Sequence, residues 1–140
     1  MNRIAAIALF TIASFITLHR ASAATITETR VPFAFTVNGI TLPAGTYVVT
    51  SSSPNVMQIS STDHNHPNTV TVITREYAPG DPDGPAMLVF EAYGSQYFLH
   101  EIICPLRSTD AIVPASDQEK KVGKEWAGRN GGQPVLVAVR

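Results

Sequence analysis

The feature of this chain that most constrains its fold is an alternation of apolar and polar residues, with a period of two, over residues 25–103. At its clearest, Val31, Phe33, Phe35 and Val37 alternate with smaller or more polar residues. A period of two places every second side chain on the same face of a strand, so the pattern predicts β-strands. The segments predicted as strands are residues 31–37, 45–51, 56–60, 68–77, 87–93, 97–103 and 134–140.

Turn residues separate these predicted strands and indicate how they connect. Gly94-Ser95-Gln96, between the fifth and the sixth strand, is typical of a tight hairpin. Closely spaced strands joined by turns favour antiparallel pairing over an α/β fold. The sequence therefore predicts a mainly β fold, a small antiparallel sandwich or partly open barrel of about seven strands, with one short helix.

The predicted helix lies near the C-terminus, at about residues 117–127. Ser116-Asp117-Gln118-Glu119 matches the capping box, in which a serine and a glutamate satisfy free N–H groups of the first helical turn. Val122 and Trp126 are four residues apart and share one face, so Trp126 is predicted to anchor the helix on the sheet. Gly128 is expected to end the helix.

The segment VNGITLPAGTYVV, residues 37–49, has two turn signals. Asn38-Gly39 tolerates positive φ at both positions and predicts a two-residue turn. Leu42-Pro43-Ala44-Gly45 predicts a second turn, in which Gly45 can take the left-handed conformation. Tyr47 then falls on the strand face beneath that turn. Because each unusual residue has a role in the backbone, we interpret this stretch as a folding corner and not as a site.

The N-terminus has the pattern of a cleavable secretory signal peptide. Arg3 precedes an uncharged stretch, residues 4–18, which is shorter than the roughly 20 residues that span a bilayer as a helix. Ala21-Ser22-Ala23 is typical of a signal peptidase site, with cleavage between Ala23 and Ala24. The sequence thus predicts a signal peptide at residues 1–23 and a single exported β-rich domain at 24–140, periplasmic or extracellular, without stable membrane insertion after cleavage.

Composition and charge argue against several function classes. The chain has ten basic and eleven acidic residues, and this balance gives no basic surface for nucleic acid. Cys104 is the only cysteine, so an internal disulfide is impossible. Its apolar neighbours predict a buried thiol, although a reactive or intermolecular thiol remains open.

The metal candidates are His64 and His66, within the segment TDHNHP. On a strand, residues i and i+2 share a face, so both imidazoles could contact one metal ion. The neighbouring Asp, Asn and Pro are instead typical of a turn, where exposed histidines are expected. We hypothesise only weak binding of Zn²⁺ or Cu²⁺ at these two residues, and no resident cofactor is predicted.

Other motifs give no catalytic constellation. His100-Glu101 begins HEIIC, which lacks the second histidine of a zinc protease motif and lies in a predicted strand. Residues 80–85 (GDPDGP) are interrupted by two prolines and predict a stiff loop, not a calcium site. Tyr93 and Tyr97 flank the predicted hairpin turn and are the aromatic residues whose exposure could indicate a ligand groove.

Three blocks, VPFAFTVNGITLPAGTYVV, MLVFEAYGSQYFLHEI and the Ser-x-x-Glu helix start, occur in that order along the chain. In this they resemble a family of small exported bacterial β-rich proteins with a PF-x-F-x-V…LPAG-x-Y opening and a Y-F-L-x-E strand. The resemblance implies export and a β-rich domain, and it carries no activity or catalytic residue.

We expect a non-enzymatic binding or envelope-structural protein, with an unknown protein or envelope partner and an open oligomeric state. The alternative is a small exported enzyme, or a ligand or metal carrier, with its site on the sheet face or in the His64/His66 loop.

Overall fold

The computed structural model describes residues 24–79, 83–104 and 109–139. The predicted signal peptide, with Ala23 on one side of its cleavage site, and part of the 80–85 loop lie outside these residues. The described strands are β1 (Ala24–Val31), β2 (Phe35–Val37), β3 (Ile40–Leu42), β4 (Gly45–Ser53), β5 (Val56–Ser61), β6 (Thr69–Ile73), β7 (Arg75–Pro79), β8 (Met87–Tyr93), β9 (Gln96–Ile103), β10 (Thr109–Ile112) and β11 (Gln133–Ala138), and the helix is α1 (Asp117–Ala127).

Two sheets pack together around one core. The first has the order β1-β4-β5-β6 and is antiparallel throughout. The second has the order β11-β8-β9-β10-β7, with β2 beside β9 and β3 outside β2. Strands β2 and β9 pair in parallel, with Thr36 opposite Phe98, and the other pairings described in this sheet are antiparallel. The predicted mainly β sandwich with one short helix is confirmed, and α1 has the predicted bounds.

Two of the predicted strands are wrong in the same way, because each is divided where the chain passes from one sheet to the other. The predicted strand 31–37 is broken after Val31, so that β1 lies in the first sheet and β2 in the second. The predicted strand 68–77 is broken at Thr74, between β6 and β7. Bends of this kind make the corners of a sandwich. The short strands β3 and β10 were not predicted, and of β1 only its last residue, Val31, lay in a predicted strand.

Aromatic rings connect the two sheets through the core. Phe33 stacks on Tyr97 with ring centroids 4.0 Å apart, and it meets the edge of Phe90 at 5.2 Å. Phe35 contacts Phe90 and Tyr47 at 5.2 and 5.3 Å. Such edge-to-face pairs add stability beyond the area they bury. The other large side chains that are fully buried in the core are not aromatic: Leu42, Met57, Ile59, Leu88, Leu99, Ile102, Val31 and Val37. Phe98 is also fully buried, but it lies on the outer side of the second sheet.

Cys104 is buried and free, and it packs in the same core. The prediction of a buried thiol is confirmed. With the sulfur enclosed by apolar side chains, this residue behaves as a small hydrophobic group.

The corner at residues 37–49 is formed partly as predicted. Asn38 and Gly39 have φ of 51° and 77°, which confirms the two-residue turn. The prediction that Gly45 can take the left-handed conformation is wrong: among the described glycines positive φ occurs at Gly39, Gly94 and Gly131, and Gly45 is the first residue of β4. The corner is closed by a side chain instead: the Tyr47 hydroxyl donates a 2.6 Å hydrogen bond to the Pro43 carbonyl.

Candidate functional site

Helix α1 begins with the predicted capping box. The Ser116 hydroxyl accepts a hydrogen bond of 3.2 Å from the N–H of Glu119. The Lys120 N–H donates to the Ser116 carbonyl at 2.9 Å. These bonds fix where the first turn starts, and they direct the side chain of Glu119 toward the sheet, where it is buried.

Two glycines allow α1 to pack closely on the β8–β9 hairpin. Gly94 has a φ of 65°, and a Cβ atom placed on it would lie 2.8 Å from the Trp126 ring. Gly123 of α1 leaves room for Tyr93, whose hydroxyl oxygen would be 3.3 Å from a Cβ there. Trp126 therefore anchors the helix as predicted, and the mid-helix glycine is explained by the tyrosine that it accommodates.

A pocket of about 390 Å³ lies between α1 and the outer face of the second sheet. Glu91 and Tyr93 of β8 and His100 of β9 form its floor. The pairing of β8 with β9 shifts register here, so that Val89 is paired with Glu101 while Phe90 is paired with Leu99. His100 is left without a partner in β8, at a β-bulge. On the side of the helix, the pocket is lined by Ala115, Glu119, Lys120 and Gly123.

Glu119 is the unusual residue of this pocket, since it is a carboxylic acid only 6 % exposed. Burial raises the pKa of the Glu119 carboxyl, and the charge of Glu91 adds to the rise. His100 and the backbone N–H of Ser116 act in the opposite direction. Within the described residues no lysine or arginine forms an ion pair with Glu119, and the neighbouring Lys120 pairs with Asp117 at 3.3 Å instead.

Tyr93 is the aromatic residue in the floor of the pocket. Its ring packs edge-on against Phe98, with centroids 5.9 Å apart. Burial raises the pKa of the Tyr93 hydroxyl, and the carboxylates of Glu91 and Glu119 raise it further. The pocket thus joins two carboxyl groups to an aromatic ring, and it is also lined by His100 and by Lys120, which pairs with Asp117. The carboxylates and the ring are groups that favour a positively charged ligand.

The candidate residues His64 and His66 lie in an exposed turn between β5 and β6. Asp63 Oδ2 is 3.2 Å from His66 Nδ1, and Asp63 Oδ1 accepts from the N–H of Asn65 at 2.9 Å. The Asn65 N–H lowers the pKa of Asp63 most, followed by the His66 side chain. Among the described residues no three His, Cys, Asp or Glu side chains are grouped to hold a metal. Weak metal binding at His64 and His66 therefore stays a prediction.

A second pocket, of about 300 Å³, joins this turn to the Pro43–Tyr47 corner. Ser61, Asp63 and His66 line it, which are the residue types of a hydrolytic triad. However, the Ser61 hydroxyl accepts from the backbone N–H of Asp63 at 3.1 Å, and the Asp63–His66 pair is exposed on the surface. This trio lacks the serine–histidine hydrogen bond that activates a nucleophile.

The remaining sequence candidates have structural roles. HEIIC lies in strand β9, in agreement with the rejection of a zinc protease motif. In the same motif, burial raises the pKa of Glu101, and the neighbouring Asp110 adds to the rise. Tyr97 belongs to the core through its stack on Phe33. Of the two tyrosines that flank the hairpin, only Tyr93 therefore lines the pocket under α1.

Comparison with family models, with curated proteins and with solved structures found no match to this chain. The resemblance to small exported bacterial proteins therefore stays an expectation from the sequence. Of the described residues, no helix is both long enough and apolar enough to cross a bilayer.

Proposed function

We propose that this chain is an exported β-domain that acts by binding, and that the pocket beneath α1 is its binding site. The observation that carries the proposal is the buried Glu119 carboxyl, which lines the pocket beside His100 and forms no ion pair with a lysine or arginine among the described residues. An uncompensated buried charge is costly, and a cationic group placed beside it would offset that cost. The ligand class is a primary ammonium or guanidinium group.

Size and lining support this ligand class. The pocket volume of about 390 Å³ falls within the range of small-ligand sites, roughly 300–1,000 Å³. Glu91 supplies a second carboxylate, and Tyr93 supplies an aromatic ring in the lining, a group that attracts organic cations. The ammonium group could belong to a small amine or to a lysine side chain of a protein or envelope partner.

The binding test uses a charged probe and its neutral analogue. Isothermal titration with n-pentylammonium is expected to show binding, whereas 1-pentanol, with the same chain and no charge, is expected to bind far more weakly. Glu119→Gln should abolish ammonium binding, because glutamine keeps the capping-box hydrogen bonds and removes the charge. Glu125→Gln, on the exposed face of the same helix, is the matched control and should bind as the wild type does.

Two results would contradict the proposal. One is equal binding of the ammonium ion and the alcohol, and the other is unchanged ammonium binding by Glu119→Gln. Native mass spectrometry of protein from its own host separates the two sources of the cation. A stoichiometric small molecule favours a free amine, and a protein adduct that Glu119→Gln removes favours a lysine side chain.

Export to the periplasm or the extracellular space is part of the proposal. It is supported by the uncharged stretch at residues 4–18 and by Ala21-Ser22-Ala23. The intact mass of the protein from the exported fraction is expected to correspond to a chain that begins at Ala24. A mass that includes Met1 would contradict processing at Ala23.

A second candidate function is weak metal binding at the His64/His66 turn. The Asp63–His66 contact at 3.2 Å engages Nδ1 and leaves Nε2 of His66 as a ligand, as in carboxylate–histidine–metal arrangements. Thermal shifts with Zn²⁺ should then differ between the wild type and a His64→Ala/His66→Ala double variant. Equal shifts would remove the metal-carrier alternative.

A further inference from the structure

The outer edge of β6 is an unpaired strand edge, and the inference drawn from it does not depend on the pocket beneath α1. Within the described residues β6 pairs only with β5 and forms one edge of the four-stranded sheet. An edge strand presents unpaired N–H and C=O groups along its free side and can pair with another chain. Natural edges usually carry a device that prevents this.

The hydrogen bonds at the two ends of the β5–β6 ladder show which backbone groups of β6 are free. The Ser61 N–H donates to the Asn68 carbonyl at 2.8 Å, and the Thr74 N–H donates to the Asn55 carbonyl at 2.8 Å. In an antiparallel pair, residues that are hydrogen-bonded to the partner alternate with residues that are not. The residues of β6 with even numbers therefore direct their backbone groups at β5, and those with odd numbers direct them outward.

Thr69, Thr71 and Ile73 are the outward-directed residues. Their side chains are also exposed, and Ile73 is 71 % accessible. Val70 and Val72, between them, are buried in the core. The edge is thus β-branched and uncharged from Thr69 to Ile73, a composition that promotes strand pairing.

The edge strand β11 of the other sheet differs from β6, because the backbone groups at the ends of its free side are not available to a second chain. The Val139 N–H donates to the Ala86 carbonyl at 2.9 Å, so by the same alternation Pro134, Leu136 and Ala138 face outward, and Leu136, in the middle of the strand, is exposed. Pro134 has no N–H to offer a partner. The Ala138 carbonyl accepts a 3.2 Å hydrogen bond from the Thr29 hydroxyl of β1. The two outward positions at the ends of β11 are therefore blocked or satisfied.

We propose that β6 pairs antiparallel with β6 of a second copy of this chain, around a two-fold axis at Thr71. In this register Thr71 faces Thr71 of the other copy, and Thr69 faces Ile73. Outward-directed residues then meet outward-directed residues, which gives about six backbone hydrogen bonds between the copies. Two four-stranded sheets become one continuous sheet.

Charge and shape make this strand complementary to itself. A two-fold axis places like side chains together, and no charged residue lies between residues 68 and 74 to repel its copy. The pairs that face each other across the axis, Thr71 with Thr71 and Thr69 with Ile73, are β-branched, and such cross-strand pairs stabilise a sheet.

Sedimentation equilibrium of the purified protein tests the interface. The wild type is expected to show a monomer–dimer equilibrium. Thr71→Lys and Thr71→Glu each place two like charges on the axis and should raise the dissociation constant at least about tenfold. Gln133→Lys adds an exposed charge to the protected edge strand β11 and is the matched control, which should dimerise as the wild type does.

An equimolar mixture of Thr71→Lys and Thr71→Glu tests the register itself, because opposite charges then meet on the axis. The mixture should recover the dimer, as a heterodimer in native mass spectrometry. Thermal melts monitored by circular dichroism should show that both variants remain folded, since Thr71 is exposed. A wild type that is monomeric at every concentration, a dimer insensitive to Thr71→Lys, or a mixture that stays monomeric would each overturn the proposal.

Discussion

The corner at Pro43–Tyr47 and the pocket beneath α1 each place a tyrosine hydroxyl next to a glycine, but they differ in how their polar groups are satisfied. In the corner, the Tyr47 hydroxyl donates to the Pro43 carbonyl at 2.6 Å, and burial raises the pKa of Tyr47. In the pocket, burial and two carboxylates raise the pKa of Tyr93, and Glu119 forms no ion pair with a lysine or arginine among the described residues.

This difference separates a folding element from a candidate site. A buried polar group that is hydrogen-bonded within the chain contributes to stability, and it needs no ligand as a further hydrogen-bond partner. A buried carboxyl group without a counter-charge has a free energy cost that a cation would relieve. Substitutions in the corner should therefore change stability alone, whereas those in the pocket should also change pH dependence or binding.

The largest expected effect comes from Gly94→Val. A β-branched residue is strained at a φ of 65°, and its Cβ would lie 2.8 Å from the Trp126 ring. We expect a loss of about 2–4 kcal/mol in the free energy of unfolding, from backbone strain and from overpacking against the helix. Urea titration measures it, and the fluorescence of Trp126, the only tryptophan, reports whether α1 leaves the sheet.

Ser95→Val, one residue along the same turn, is the control for Gly94→Val. Ser95 is exposed, so valine there meets no ring and should change stability only slightly. Equal effects of the two substitutions would show that the helix does not depend on the close approach at Gly94.

Tyr47→Phe should have the next largest effect. It removes the hydrogen bond to the Pro43 carbonyl while it keeps the ring that packs against Phe35. We expect a loss of about 1 kcal/mol in urea titration, typical of one buried hydrogen bond. Tyr97→Phe keeps the stack on Phe33 and removes a hydroxyl, so it is the matched control, for which little change is expected. Equal losses would mean that the corner bond contributes nothing specific.

Much of the fold could be predicted, because short sequence patterns determine where the helix and the turns begin. Ser116 and Glu119 set the start of α1, and Asn38-Gly39 sets its turn through positive φ. The strand breaks at Pro32 and Thr74 could not be predicted from alternation. At a sandwich corner the same side chains continue to face the core, so the period of two persists while the strand changes sheets.

The candidate site was only partly predictable. Tyr93 could be selected from its place beside the hairpin turn, whereas Glu119 was interpreted only as a capping residue. Its position three residues before Val122 and seven before Trp126 puts it on the buried face of α1, and the helical period already contains that signal. The contact of Gly94 with Trp126 joins distant parts of the chain, and no local pattern encodes it.

Glu119→Gln should give a smaller change that depends on pH. The pKa of the Glu119 carboxyl is raised in the folded protein, so the stability it contributes is present below its unfolded pKa of about 4.3 and is lost as the pH rises through the folded value. Glutamine cannot ionise, so the variant should be more stable than the wild type at neutral pH and should approach it in acid. Urea titrations between pH 4 and pH 8 measure this difference.

Glu125→Gln is the control for the pH series, because its side chain is exposed on the same helix. A stability difference for Glu119→Gln that is independent of pH would contradict the buried charge. Addition of n-pentylammonium at neutral pH should reduce the advantage of the variant, since only the wild type gains from the cation.

The smallest effect is expected for Gly45→Ala in the corner. Gly45 does not have positive φ, and a Cβ there would lie 3.6 Å from the Tyr47 ring, an ordinary van der Waals contact. We expect a change within about 0.5 kcal/mol of zero, because alanine restricts the unfolded chain without straining the folded one. Gly39→Ala, at a φ of 77°, is the comparison and should be clearly destabilising. A large loss for Gly45→Ala would mean that the corner depends on its glycine, and not on the hydrogen bond from Tyr47 to Pro43.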